Sequence, residues 1–294
     1  MNKLLYVCVI VFALGMMQAC EREIDIELPN AEDLLVVEGS IETGEFPKVL
    51  ITRNRGFFNE FPNDLTTFIN EFVVTDAVVT ISDGTNSETL QFTIDPLNYP
   101  FVYYTGSNLK GEIGKSYTLT IVSGSKIITS RTQIPSAVPL DSTWFGLNPF
   151  NNEEDSLGVS YGQIIDPDTI GNAYRLFAKK NTETAYFPVS GAHFNDDFTN
   201  GQKVVFFNGQ GKRPFFASDT FVPSDFFYKL GDTILLKFCS IGRKEELFFN
   251  TLDAATNSNG NPFSSPVIVK SNIEGGLGIW CGYSPAYDTI IATN

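Results

Sequence analysis

Apolar and polar positions alternate with a period of two along most of this chain. The clearest case lies at residues 116–122, where Tyr117, Leu119 and Ile121 fall on one side and Thr118 and Thr120 on the other. That is the pattern of a half-buried strand. Residues 34–41, 48–53, 76–82, 88–93 and 126–132 read the same way, and Asp83-Gly84 marks a hairpin turn between two of them. About seven short strands, with turn residues every 8–12 positions or so, predict an Ig-like sandwich. Pro135 and Pro139 then bracket a stiff, donor-poor link. Beyond it, strands are predicted at 142–146, 158–165, 173–178, 203–207, 232–240, 267–269, 279–283 and 289–292. One helix opens at Arg243, with Phe248, Leu252 and Ala255 as its apolar stripe. The predicted fold class is all-β, with two β-sandwich domains. The first, 33–135, is Ig-like; the second, 140–294, carries one short helix; each has its own core.

The N-terminus departs from this alternation. Lys3 precedes an unbroken apolar run from Leu4 to Met17, followed by Gln18-Ala19-Cys20 and then Glu21-Arg22-Glu23. The order positive, apolar, small residue, Cys is that of a secretory signal, and the run is shorter than the ~20 apolar residues of a spanning helix. Ala19-Cys20 resembles a lipobox, the cleavage site of signal peptidase II. Residues 1–19 are therefore expected to be a lipoprotein signal peptide, Cys20 the lipidated residue, and 20–32 a polar tether. Anchoring to the outer membrane through N-terminal acyl chains is physically adequate, at about 0.8 kcal/mol per buried CH₂ with more than one chain.

Composition narrows the partners. The chain has 20 Lys+Arg against 34 Asp+Glu, a net −14, and loss of Lys3 with the signal makes the mature chain one unit more negative. A surface of that sign excludes nucleic acid, which needs clustered cations. It is also repelled by anionic headgroups, which leaves anchoring to the lipid. Aromatics make up 13%, including 26 Phe, ample for a sizeable core.

Several phrases carry a family resemblance. Ile24-Asp25-Ile26-Glu27-Leu28-Pro29 follows Cys20 closely. Leu35-Val36-Val37-Glu38-Gly39 and Arg53-Asn54-Arg55-Gly56-Phe57-Phe58 come next. Asn261-Pro262-Phe263-Ser264-Ser265-Pro266 and Ser271-Asn272-Ile273-Glu274-Gly275-Gly276-Leu277-Gly278-Ile279 lie near the C-terminus. Together they resemble the DUF4249 family of Bacteroidota lipoproteins, over nearly the whole mature chain. The resemblance implies outer-membrane residence, often beside a TonB-dependent β-barrel receptor, and brings no catalytic motif. Cys281 stands where the family pattern has a small residue, and Cys239 accompanies that change.

Candidate chemistry is sparse. The single His193 sits in Ser190-Gly191-Ala192-His193-Phe194, read as a loop without a nucleophile signature, so no catalytic residue is assigned. One His without a CxxC makes no zinc site, and no metal or cofactor is expected. Gly275-Gly276-Leu277-Gly278 lacks the Lys-Ser/Thr of a phosphate loop and reads as a tight turn or bulge. Asp166-Pro167-Asp168, Asp196-Asp197 and Glu153-Glu154-Asp155 read as solvated turn acids, with Ca²⁺ ligation or glycosidase chemistry as the sharper alternatives. Paired phenylalanines, above all Phe215-Phe216 and Phe226-Phe227, are candidates for docking a partner. Cys239 and Cys281 are the mature cysteines besides Cys20, in an oxidising compartment, and form a candidate disulfide.

The expected function is a non-enzymatic binding or accessory subunit held at the outer membrane, with Glu21 and Glu23 pointing to the cell surface rather than the periplasmic face. The alternative is a glycan-binding protein or carbohydrate-active enzyme using carboxylates. A flat aromatic patch favours the first; a cleft with close carboxylates and exposed Trp or Tyr favours the second.

Overall fold

In a computed structural model, residues 34–54, 64–147, 156–211, 226–258, 265 and 267–293 are described. The expected signal segment and tether, with Cys20, and Glu153-Glu154-Asp155, Phe215 and Phe216 lie outside them. Before the 135–139 link come β1 (Leu35–Glu42), β2 (Lys48–Arg53), α1 (Leu65–Phe72), β3 (Val78–Ser82), β4 (Ser87–Thr89), β5 (Gln91–Ile94), β6 (Val102–Thr105), β7 (Ser116–Ser123) and β8 (Lys126–Gln133). After it come β9 (Ser142–Leu147), β10 (Leu157–Ile165), β11 (Ala173–Lys180), β12 (Phe187–Asn195), β13 (Lys203–Asn208), β14 (Tyr228–Lys229), β15 (Thr233–Ile241), α2 (Arg243–Ser258), β16 (Ile273–Glu274) and β17 (Leu277–Ile291). The protein is a mostly-β fold of sandwich-like sheets with two short helices.

The long sheet runs β12-β11-β15-β17-β1-β2-β6-β5 and crosses the predicted boundary. Two smaller sheets, β16-β8-β7-β3-β4 and β13-β10-β14 with β9 on β10, pack against one of its faces. Val37, Ile41, Val49 and Ile51 of the long sheet meet Val79, Ile81, Leu119, Ile121 and Ile128 of the first small sheet. Leu176, Ile234, Leu236 and Phe238 meet Ile164, Val204 and Phe206 of the second. The helices cover the opposite face, α2 over β11, β12 and β17, and α1 beside β2 and β6.

The expectation of two sandwiches with separate cores is corrected here. Residues 33–294 form one compact unit. Trp280 and Ile273, from beyond the link, lie in the core of the first segment, and β17 pairs with β1 in parallel from Val36↔Leu277 to Glu42↔Tyr283. Gly278 makes that pairing possible: its φ of 112° is left-handed territory, and a Cβ there would collide with the Val37 carbonyl. The Gly275–Gly278 turn is thus structural, as read.

A polar network locks the two segments. Thr132 Oγ1 on β8 donates to Glu245 Oε1 at 2.7 Å and accepts from the Gly282 N–H at 3.0 Å. Asn272 brackets Trp280, accepting its N–H at 2.9 Å and donating to its carbonyl at 2.8 Å. Glu245 is buried, and that desolvation raises its carboxyl pKa above 4.5 despite the Thr132 hydrogen bond. The native state therefore binds more protons than the unfolded chain between pH 4.5 and the raised value, so this group's contribution falls as pH rises through that window. Glu245→Gln keeps an acceptor for Thr132 and removes the buried charge. Urea titrations of both proteins from pH 4 to 8 should show the parent losing stability with rising pH relative to the variant. Parallel profiles would refute the assignment.

The helical stripe also differs from its expectation. Leu252 is exposed, and the buried face is Glu245, Glu246, Phe248 and Phe249. The helix rests on the sheet through its N-terminal turns, where Glu246 accepts from Asn195 at 3.3 Å. α1 was not anticipated; Asp64 caps it by accepting from the Thr67 N–H at 2.8 Å.

Candidate functional site

The helix-bearing face of the long sheet carries charged and aromatic side chains. Register places Arg175 and Phe177 of β11, Lys237 and Cys239 of β15, Cys281, Tyr283 and Tyr287 of β17, and Glu38 and Glu42 of β1 on this face. Lys237 is ion-paired with Glu42, and Tyr287 donates to the other Glu42 oxygen at 2.6 Å. Lys237 also lies over the Phe177 ring at 5.3 Å. Arg175 donates from Nη1 to the Tyr283 hydroxyl at 2.9 Å and stacks over Phe249, 3.4 Å from the ring centroid. Its Nε is buried without a hydrogen bond.

Glu38 differs from its neighbours. Its cross-strand partners are Ile279 on one side and Leu50 on the other. It is exposed, yet the surrounding protein desolvates it and raises its pKa, with the Arg175 charge opposing that rise. It accepts no hydrogen bond and forms no ion pair among the described residues. The β5–β6 loop reaches the turn between β11 and β12. Thr184 Oγ1 donates to the Leu97 carbonyl at 3.2 Å, and the Tyr99 ring packs 5.8 Å from Phe187. The Tyr99 phenol is pushed up by burial and by the Glu38 charge.

A second surface lies on the outer side of the β9-β10-β13 sheet. Trp144, Tyr161 and Phe207 form a row across its three strands. Trp144 and Tyr161 are stacked at 5.3 Å with planes 2° apart, and Tyr161 meets Phe207 at 6.1 Å. Trp144, Phe207, Val205 and Ile165 are all exposed. The Phe206-Phe207 pair behaves as strand geometry requires: Phe206 packs on the core and Phe207 stands outside. Nothing in the sequence alone said that Trp144 and Tyr161 would join it, because their adjacency depends on the β9–β10 register.

A third feature, a groove of about 1020 Å³, is lined by Asp83, Glu88 and Glu112 with no aromatic side chain. Its carboxylates are occupied by their own loops. Glu88 accepts from the Ser107, Asn108 and Leu109 N–H groups at 2.7–3.2 Å. Asp83 holds its hairpin through the Thr85 and Asn86 N–H groups, bonds that bring its pKa down to about 2.

The remaining sequence candidates are placed as follows. Phe226 and Phe227 are half-buried, T-shaped at 5.1 Å, and Gln210 binds both their carbonyls. Asp166 and Asp196 are buried rather than solvated: Asp166 takes the Tyr174 hydroxyl, and Asp196 takes the Gly171 and Asn172 N–H groups, both at 2.8 Å. No group of three His, Cys, Asp or Glu among the described residues could hold a metal ion. His193 lies on β12 rather than in a loop, facing Asp253 at 3.7 Å and Phe249, with its pKa lowered by burial.

The candidate disulfide is not formed. Cys239 and Cys281 are free, buried thiols of one apolar cluster, and burial pushes the Cys239 thiol up to about 12. They serve as small core residues under α2.

No curated protein matches this chain. Among solved structures, a two fibronectin type-III domain segment from chicken tenascin aligns with a TM-score of 0.20 at 10% identity, over 71% of this chain and 91% of that one. The family described as Domain of unknown function (DUF4249) matches residues 21–288, and the chain belongs to that family.

Proposed function

We propose that this protein is a non-enzymatic binding subunit anchored in the outer membrane of a member of the Bacteroidota. Acyl chains on Cys20 hold it there, on the cell-surface side, beside a TonB-dependent β-barrel receptor. The observation that carries the binding role is the flat row Trp144–Tyr161–Phe207, continued by Val205 and Ile165. Large apolar side chains presented together on one sheet face have the composition of an interface centre. The apolar run ending at Ala19-Cys20 supports the anchor, and the family match begins at residue 21, directly behind that cysteine.

The test is a mild-detergent pull-down of the tagged protein from its native membrane, compared with Cys20→Ser and with the double variant Trp144→Ser/Phe207→Ser. The parent should retain a stoichiometric outer-membrane barrel. Cys20→Ser should lose acyl labelling and leave the membrane. The double variant should stay anchored but lose capture tenfold or more, because aromatic anchors at interface centres are each worth about 2 kcal/mol or more. An acylated Cys20→Ser protein, or undiminished capture by the double variant, would overturn the corresponding half of the proposal.

A further inference from the structure

We propose that the end of the sandwich where the chain enters β1 lies against a lipid bilayer. This rests on the Cys20 anchor proposed above and names the surface that the anchored fold turns toward the membrane. The outer face of the β3-β7-β8 sheet is polar on two successive rungs, Ser82–Thr118–Arg131 and Thr80–Thr120–Thr129. The third rung is Val78–Val122–Ile127, aliphatic throughout and exposed at 54%, 38% and 66%. It borders the hairpin turn that closes at Ser123 and Lys126. Leu277, paired with Val36 where β17 and β1 begin, is exposed as well.

Close packing joins this rung to the chain entry. A Cβ on Gly275 would stand 2.5 Å from the Ile127 carbonyl oxygen, and one on Gly276 would stand 2.8 Å from the Leu35 carbonyl oxygen and 3.2 Å from Ile128 Cδ1. Leu35 is the first residue of β1, so the chain from Cys20 enters the fold beside the apolar rung. From Cys20 to Leu34 the chain can span at most about 50 Å, which keeps the body close to whatever holds Cys20. Aliphatic side chains offer a partner no hydrogen bonds and gain only from removal from water. The boundary between headgroups and acyl chains takes them in without shape complementarity. Arg53, opposite Leu35, and Lys126, beside Ile127, offset Asp76 and Glu274 here. This end is therefore spared the repulsion that a net charge of −14 implies for the surface as a whole.

The unlipidated chain 20–294 is coupled through Cys20 to a maleimide phospholipid in phosphatidylcholine vesicles; Cys239 and Cys281 are buried and do not compete. Coupling replaces the acyl anchor, so the result is independent of acylation in the cell, which acyl labelling reads separately. Ile127→Trp is compared with Thr85→Trp, an exposed position in the turn at the other end of β3. The parent chain, with Trp144 and Trp280, supplies the background to subtract. Phosphatidylcholine brominated in its acyl chains should quench Ile127→Trp at least twofold and leave Thr85→Trp unchanged. Adding Val78→Asp/Val122→Asp to Ile127→Trp should abolish the quenching, and circular dichroism matching the parent would show that these surface variants fold. Three results would overturn the proposal: no quenching of Ile127→Trp, equal quenching of Thr85→Trp, or quenching that survives the paired Asp substitutions, which would reflect the tether alone.

Discussion

A chain ending at Pro135 is expected to show no cooperative unfolding transition, although that segment reads in the sequence as a complete sandwich. The truncation removes Trp280 and Ile273 from the core they share with Val37, Ile51, Tyr117 and Leu119. It strips β1 of seven parallel pairings with β17, leaving an apolar central strand as an open edge. It also orphans the buried Thr132 hydroxyl, whose partners Glu245 and Gly282 both lie beyond the cut. Losing one large buried aromatic costs about 3–5 kcal/mol. A bare strand edge and an unpaired buried hydroxyl cost more on top, against a typical total of about 5–15 kcal/mol. Circular dichroism and urea titration of residues 30–135 are the check. A sigmoidal transition with the slope of a ~100-residue domain would show that this core is sufficient without β17.

What the sequence made legible is what is local. Alternation alone placed Tyr117, Leu119 and Ile121 in the core and Thr118 outside, as the structure has them. In β15 the structure has the same alternation, with Ile234, Leu236 and Phe238 on one face and Cys239 on the other beside Lys237. Strand partnership is non-local and left no such mark. β17 reads as two strands interrupted by Ser284-Pro285, yet it runs unbroken for 15 residues. The proline falls where β17 stops pairing with β1, at Tyr283, and starts pairing with β15, at Ser284. A missing N–H is tolerated where ladders change hands. The apolar stripe of α2 failed for a related reason. Leu252 is periodic with Phe248, but the sheet beneath α2 meets only its first turns, so tertiary contact overrode the pattern.

The candidate surfaces were less legible than the fold. Phe207 was reachable from the rule that a Phe pair in a strand splits between faces. Trp144 and Tyr161 required the β9–β10 register. Glu38 sits in the run Val36-Val37-Glu38-Gly39 as an ordinary outward polar position. Its cross-strand neighbour Ile279 lies more than 200 residues away in sequence, so the burial that raises its pKa leaves no local mark. Of the carboxylates read from the sequence as solvated turn acids, Asp166 and Asp196 are consumed by turns instead.

Trp280→Ala is expected to destabilise the whole protein by about 3–5 kcal/mol, enough to leave a marginal domain partly unfolded at physiological temperature. The indole is fully buried, and its Nε1 donates to the Tyr117 carbonyl at 3.0 Å across the two packed sheets. It lies against Gly39, where even a methyl group would stand 2.8 Å from the ring, so the backbone of β1 has been kept bare to admit it. Truncation to Ala therefore opens a cavity between a glycine and rigid strands that cannot collapse into it, which puts the cost at the upper end of the range. Trp280→Phe separates the two components. It retains most of the packing and deletes only the donor, so it should cost about 1–3 kcal/mol for the unsatisfied Tyr117 carbonyl. Gly39→Ala in the parent should be strongly destabilising by steric conflict, yet add little in the Trp280→Ala background, where the ring it would strike is absent. A double-mutant cycle by urea unfolding measures this coupling directly. Additive effects of Gly39→Ala and Trp280→Ala would show that the indole does not seat against β1, and with it would fall the view that the C-terminal strand completes the first core.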